Sequence, residues 1–166
     1  METFEVTRKL FSWGPAYEVR KAGATELHMT VKGKLLTATP KLTMVQGQDG
    51  PAIASLSGNF TRTRFEIKDG GEKSVGTLSF PMFALKKGFT LTTGGAEYKA
   101  SGGFLGAAFG CSDAQGQPAF DVKWEPGWAD KFVVSAQQPL PPEVLILATV
   151  AVHQKYYEHK ATDYAE

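Results

Sequence analysis

The stretch LPPEVLILATVAVHQKYYEHK, residues 140–160, decides the fold of this 166-residue chain. Between residues 144 and 152 only Thr149 interrupts a run of apolar side chains. Pro141 and Glu143 suit a helix start, because proline is tolerated in the first turn and a carboxylate favours the positive end of the helix dipole. A buried strand is the competing interpretation, but the segment is longer than a typical strand. The sequence therefore predicts a helix over residues 141–158.

A helix that is apolar on all sides lies either in a membrane or in a protein core. A membrane span takes about 20 mostly apolar residues, whereas runs of about 10–14 are more often core helices. Here polar side chains return at His153, Gln154 and Lys155, so we expect no transmembrane span. A third interpretation is a peripheral membrane protein that inserts this helix, and such a protein would need detergent to stay in solution.

Short segments of alternating or β-branched residues recur along the rest of the chain, separated by turns rich in glycine and aspartate. They predict strands over residues 3–10, 16–20, 27–31, 35–42, 52–56, 62–68, 73–80, 89–92, 97–100, 106–112, 119–123 and 131–136. Such strands could close around the helix and leave no unpaired sheet edge. The predicted fold is mainly β: a closed antiparallel barrel of about twelve strands around a central hydrophobic C-terminal α-helix, in a single domain over residues 1–166.

The composition argues against several classes of protein. A formal net charge of +1 disfavours a general nucleic-acid binder, which would carry a basic excess. A single cysteine, Cys111, forms no internal disulfide, and the first residues lack the pattern of a signal peptide. We therefore expect a cytoplasmic protein, with peripheral association with a membrane as a further possibility.

The sequence contains few side chains that could carry out chemistry. They are one thiol, three histidines and three aspartates at predicted turns: Cys111, His28, His153, His159, Asp113, Asp121 and Asp130. The histidines lack metal-ligand spacing, and a lone cysteine in a strand is usually a small buried hydrophobe. We predict no catalytic residue, no metal site and no cofactor.

The order of these features resembles the tubby C-terminal-like superfamily, and within it the LURP-one-related proteins and the phospholipid scramblases. The segment DKFVVSAQQPLPPEVLILATVAVHQKYYE, residues 130–158, resembles the closing strand and aliphatic helix of that family. Upstream, YEVRKAG (17–23), RTRFEIKDGGEKSVGTLSF (62–80) and GCSDAQGQPAFDVKW (110–124) resemble its early hairpin, middle strands and penultimate hairpin. The resemblance implies a twelve-stranded barrel around a hydrophobic helix. It also implies a non-enzymatic role in binding membrane lipids, phosphoinositides in particular, or a protein partner.

A phosphoinositide site needs several cations on one patch, because the headgroup is multiply anionic. The candidate headgroup-binding residues are Arg62, Arg64, Lys86, Lys87, Lys32 and Lys34. Alternation predicts that Arg62 and Arg64 share one strand face, although water-facing strand surfaces are commonly charged without binding anything. The segment WEPGWADKF, with Trp124 and Trp128, predicts an aromatic interaction loop or a cap on the barrel. The alternative function is a lipocalin-like barrel of eight to ten strands with a hollow interior for a small ligand or for catalysis.

Overall fold

The computed structural model describes residues 2–9, 12–34, 38–82, 88–101, 108–125 and 127–156. These contain twelve strands and one helix. The elements are β1 (Thr3–Arg8), β2 (Ala16–Lys21), β3 (Met29–Gly33), β4 (Lys41–Gln46), β5 (Ala52–Gly58), β6 (Arg64–Asp69), β7 (Ser74–Ser79), β8 (Thr90–Thr93), β9 (Ala96–Ser101), β10 (Ala108–Ser112), β11 (Pro118–Glu125), β12 (Lys131–Ala136) and α1 (Pro142–Tyr156).

The strands form a closed barrel in which each strand pairs antiparallel with the strands next to it in the chain. The first and last strands complete the ring, with Phe4 opposite Val134 and Val6 opposite Phe132. Closure gives every strand two partners, so this sheet has no open edge. The predicted closed barrel of about twelve strands is confirmed.

Alternation along the strands separates an inner from an outer face. In β6, Phe65 and Ile67 are buried, whereas Arg64 is exposed. In β12, Phe132 and Val134 are buried between partly exposed neighbours. The inner faces supply the apolar wall that an all-apolar helix requires.

The helix α1 runs through the interior of the barrel. It contacts β1 and β12 on one side of the ring and β5, β6 and β7 on the opposite side. Every residue from Val144 to Gln154 is buried, and the hydroxyl of Thr149 donates to the carbonyl of Leu145 at 2.9 Å. The predicted central helix is therefore present, and it fills the space that a lipocalin-like barrel would leave hollow. Within the described residues no helix has the length and apolarity needed to cross a membrane.

Several predicted strand boundaries are wrong by one or more residues; the third strand, for example, is Met29–Gly33 rather than residues 27–31. Two of the differences have a clear physical cause. The fourth strand is Lys41–Gln46 rather than residues 35–42, because Pro40 has no N–H for a ladder and the inward alternation is carried by Leu42 and Met44. Residues 35–37 lie outside the described part of the chain. The sixth strand begins at Arg64 rather than at residue 62, because a turn occupies the two residues before it. The predicted helix end at residue 158 also lies outside the described residues.

Candidate functional site

The alternating strand directions divide the loops into two sets. Loops that follow odd-numbered strands lie at the end of the barrel where α1 ends, and the others lie where α1 begins. We call the described loop residues of the first set the basic rim: residues 9, 12–15, 34, 38–40, 59–63, 80–82, 88–89 and 127–130. We call the second set the acidic rim: residues 22–28, 47–51, 70–73, 94–95, 113–117 and 137–141.

Charge is separated between these two rims. The basic rim carries three cations and one carboxylate: Lys9, Lys34, Arg62 and Asp130. The acidic rim carries four carboxylates and one lysine: Glu26, Asp49, Glu72, Asp113 and Lys73. Five further cations and one carboxylate adjoin the basic rim, at the ends of strands or near the end of α1: Arg8, Lys41, Arg64, Lys131, Lys155 and Glu125. The net charge of the chain is near zero, but the described loops at the two ends of the barrel carry opposite charge.

The basic rim also carries exposed hydrophobic side chains. Trp13 is 93% exposed, Phe60 77%, Met82 59% and Trp128 86%, and each lies in a different loop of this rim. The loops of Trp13 and Trp128 are neighbours, because β1 pairs with β12. The loops of Phe60 and Met82 are neighbours on the opposite side of the ring, because β6 pairs with β7.

The prediction that Arg62 and Arg64 share a strand face is wrong. Arg62 lies in the β5–β6 turn with a φ of 54°, a left-handed conformation that takes it out of the strand alternation. Its Nη1 donates to the main-chain carbonyl of Gln154 in the last turn of α1, at 3.0 Å. Arg64 is exposed at the start of β6. Arg62 therefore holds the helix end, and Arg64 faces solvent.

The predicted lysines are also distributed unequally. Lys32 lies in β3, and its Nζ contacts Asp49 at 2.9 Å and the carbonyl of Gln48 at 2.8 Å, both on the acidic rim. Lys34 is exposed on the basic rim. Lys86 and Lys87 lie outside the described residues. The structure therefore brings Lys34, but not Lys32, to the end of the barrel that carries Arg62 and Arg64.

The predicted aromatic interaction loop contains one exposed tryptophan rather than two. Trp128 lies in the β11–β12 loop and is almost fully exposed. Trp124 lies inside β11, packs against the core, and its Nε1 donates to Asp130 at 3.3 Å. The inward alternation of β11 continues to its end, which explains why Trp124 belongs to the barrel wall.

A chain of buried and partly buried hydrogen bonds surrounds the end of α1. His153 Nε2 lies 3.0 Å from Asp130 Oδ2, and His153 Nδ1 lies 2.7 Å from the hydroxyl of Tyr17. Gln154 Nε2 donates to the same hydroxyl at 2.7 Å. One consistent assignment has Nε2–H donating to Asp130 and the Tyr17 hydroxyl donating to Nδ1.

The order carboxylate, imidazole, hydroxyl matches that of a catalytic proton relay, but these side chains are too little exposed to act on a substrate. Tyr17 is 0% exposed and His153 is 1% exposed, so no substrate reaches the hydroxyl without opening the barrel. Burial of polar groups is costly unless they are hydrogen-bonded, and this chain meets that need at the polar end of the helix. We assign it a structural role.

Burial raises the pKa of two other side chains, Cys111 and Tyr156. Burial of the Cys111 thiol raises its pKa, and the nearby carboxylate of Asp121 raises it further. Asp121 lies within β11, not at a turn as predicted. Burial also raises the pKa of Tyr156, whose hydroxyl donates to the carbonyl of Gly88 at 2.8 Å. Cys111 is therefore a protonated core residue rather than a nucleophile.

Sequence reasoning missed the features that distinguish the basic rim. Trp13, Phe60 and Met82 were not predicted as surface contacts. The signal was available, because in an antiparallel up-and-down barrel every second loop lies at the same end. The pair His153–Asp130 was missed as well, because His153 was interpreted as the polar end of the helix and Asp130 as a turn residue. Among the described residues no group of His, Cys, Asp and Glu side chains is arranged to hold a metal ion.

Comparisons with known proteins support the fold. No protein-family model matches the sequence, and no curated protein matches it either. An X-ray structure of a protein from Arabidopsis thaliana is similar over 92% of this chain and 90% of its own, with a TM-score of 0.61 and 13% sequence identity. At this level of identity the likeness shows the fold alone.

Proposed function

We propose that the protein is a non-enzymatic interaction module of the tubby-like, LURP-one-related type, and that it binds anionic membrane lipids through the basic rim. One observation carries the proposal: among the described loop residues, cations predominate at one end of the barrel and carboxylates predominate at the other. Anionic headgroups attract basic segments near the membrane surface by about 1 kcal/mol per Lys or Arg. Such an asymmetric charge would also orient the approaching molecule.

The filled interior supports a role on the outer surface. In the described part of the chain α1 occupies the interior of the barrel, and its buried side chains fill the space that a lipocalin-like barrel would leave for a ligand. Tyr17 and His153 of the hydrogen-bonded chain are buried, and Asp130 at its outer end is partly exposed, so the phenol and the imidazole are not offered to a substrate. What remains accessible is the outside of the barrel with its loops, a situation that favours binding over catalysis.

Phosphoinositides are the lipid class that we favour within this proposal. Their phosphate groups suit exposed donors such as Lys34 and Arg64, and guanidinium groups bind phosphate oxygens in pairs. Lys86 and Lys87 stay candidates of the same kind. Binding at the cytoplasmic leaflet would make the protein a cytoplasmic one that associates peripherally with membranes.

Vesicle flotation tests this proposal. We expect the protein to float with phosphatidylcholine vesicles that contain phosphatidylserine or phosphoinositide, and not with phosphatidylcholine alone. The variant Lys34→Glu/Arg64→Glu should bind at least about 30-fold more weakly, from the loss of two attractions near the surface. The variant Lys21→Glu/Lys73→Glu makes the same change of charge at the acidic end, and it should bind like the unchanged protein.

Two results would count against the proposal. If the protein floats with no anionic vesicle, lipid binding is wrong and a protein partner becomes the better function. If both double variants lose binding equally, the attraction depends on net charge and not on the basic rim. Raising the ionic strength should weaken the binding of the unchanged protein, because salt screens exposed charges.

A further inference from the structure

We infer that the basic rim docks end-on and inserts its four exposed hydrophobic side chains into the boundary between lipid headgroups and acyl chains, an inference that rests on the proposed function. In this orientation Trp13 and Trp128 enter on one side of the ring, and Phe60 and Met82 enter on the other. The axis of the barrel would be perpendicular to the membrane plane, and the acidic rim would point away from the anionic surface.

The first support is where hydrophobic surface is exposed. Across the described residues the exposed large hydrophobic side chains are these four, and all of them lie on the basic rim. Loops are usually polar, so a set of exposed hydrophobic residues confined to one end indicates a contact surface. Tryptophan suits the membrane interface, because its ring is apolar while its N–H keeps a polar partner.

The second support is that two of the four loops carrying these side chains, those of Trp128 and Phe60, are hydrogen-bonded to the barrel or to its helix. The main-chain N–H of Arg8 donates to the carbonyl of Asp130 at 2.8 Å, which joins β1 to the loop of Trp128. Lys155 on α1 donates to the carbonyl of Thr61, next to Phe60, at 3.3 Å. Anchors held in place lose less conformational entropy on binding than anchors on free loops.

The third support is the arrangement of charge around the anchors. Lys9 lies in the loop of Trp13, Arg64 closely follows the loop of Phe60, and Lys34 lies in a loop on the arc between them. Hydrophobic side chains on opposite sides of a ring, with cations between them, fit a broad anionic plane. A peptide partner would need only one side of this ring.

Tryptophan fluorescence tests the insertion directly. With phosphatidylserine-containing vesicles we expect a blue shift of the emission, and quenching by lipids brominated along the acyl chain. Trp124 is partly buried, packs against the core and gives a constant background. The variant Trp13→Ser/Trp128→Ser should lose the shift and bind about tenfold or more weakly per tryptophan removed, because less apolar area is buried. The variant Trp13→Phe/Trp128→Phe should keep most of the binding.

Each outcome separates this inference from the proposed function. Binding to anionic vesicles without a blue shift or quenching would leave the proposed function intact and overturn insertion. No binding to any anionic vesicle would overturn both. The variant Phe60→Ser tests the orientation: about tenfold weaker binding supports end-on docking, and unchanged binding would show that only the tryptophan side touches the membrane. Circular dichroism of the variants should match that of the unchanged protein, because the substituted side chains are exposed.

Discussion

At the scale of single residues, the hydroxyl of Tyr17 is a buried junction between the barrel wall and the helix. It lies on the inner face at the start of β2 and bonds both to His153 and to Gln154. Arg8 lies over its ring, 5.6 Å from the centroid. One phenol thus connects the first hairpin of the chain to the last turn of its helix, which makes the position of α1 along the barrel axis specific rather than merely apolar.

Removing this hydroxyl should destabilise the protein measurably. We expect Tyr17→Phe to lower the free energy of unfolding by about 1–3 kcal/mol, because two hydrogen bonds of the Tyr17 hydroxyl, to His153 and to Gln154, would be lost in a buried site. Urea unfolding followed by circular dichroism measures the change. The matched control is Tyr98→Phe, a mostly buried tyrosine in β9 whose hydroxyl has no hydrogen bond within the described residues. Its effect should stay within about 0.5 kcal/mol, and equal effects of the two variants would contradict the assignment.

At the scale of elements, the helix end is held from outside by the β5–β6 turn. Arg62 places a guanidinium against the carbonyl of Gln154, where the last carbonyls of a helix have no partner within it. A cation at this position also favours the negative end of the helix dipole. The left-handed backbone of Arg62, with a φ of 54°, aims the side chain inward, while its neighbour two residues later points to solvent.

The two arginines therefore form a natural pair for a stability experiment. We expect Arg62→Ala to lower the free energy of unfolding by about 1 kcal/mol, from the loss of a charge-assisted hydrogen bond in a partly exposed position. Arg64→Ala should change stability by less than about 0.5 kcal/mol. In vesicle binding the order should reverse, with Arg64→Ala the weaker binder. Equal losses of stability would show that the contact of Arg62 with Gln154 contributes nothing.

Features that depend on local pattern were predictable at this scale. The inward Phe65 and Ile67 of β6 and the all-apolar α1 follow from alternation and from length. The strand β4 was misplaced because residues 35–42 contain enough leucine and threonine to imitate a strand before Pro40. The conformation of Arg62 was missed because the left-handed residue that breaks the two-residue period is not a glycine, the residue that usually signals such a conformation.

The site depends on features that local pattern does not carry. The contact of His153 with Asp130 joins residues that are 23 positions apart, and it requires the register of the helix within the barrel. The basic rim joins loops from along the whole chain, and it becomes visible only when strand directions are known. The sequence predicted the fold, but it grouped Lys32 and Lys34 as equal candidates for one site. In the structure Lys32 pairs with Asp49, whereas Lys34 is exposed on the basic rim.

At the scale of the whole molecule, the ring is completed by pairing its first and last strands. Thr3 lies opposite Ser135, and their hydroxyl oxygens are 3.2 Å apart although the residues are 132 positions apart in sequence. A pairing of this sequence separation carries a large entropic cost of loop closure, because the two ends of a long chain must be brought together. Closure of the ring therefore depends on the pairing of β1 with β12.

A disulfide across this seam should stabilise the protein. We expect the oxidised Thr3→Cys/Ser135→Cys variant to have a free energy of unfolding about 2–4 kcal/mol higher than that of its reduced form, because the disulfide closes a very long loop. Cys111 should not interfere, since it is buried and its thiol pKa is raised. Denaturant unfolding with and without reductant gives the comparison. Failure of the two cysteines to oxidise in the folded protein would contradict the pairing of β1 with β12.

The position of α1 after all twelve strands also has a consequence for synthesis. A ribosome makes the walls of the barrel before it makes the segment that fills them, so the nascent strands emerge with no core to bury their inner faces. Productive folding must wait until the helix leaves the exit tunnel, and until then the chain exposes apolar surface of the kind that chaperones bind. Any premature stop before the helix would release a complete set of strands that has nothing to close around.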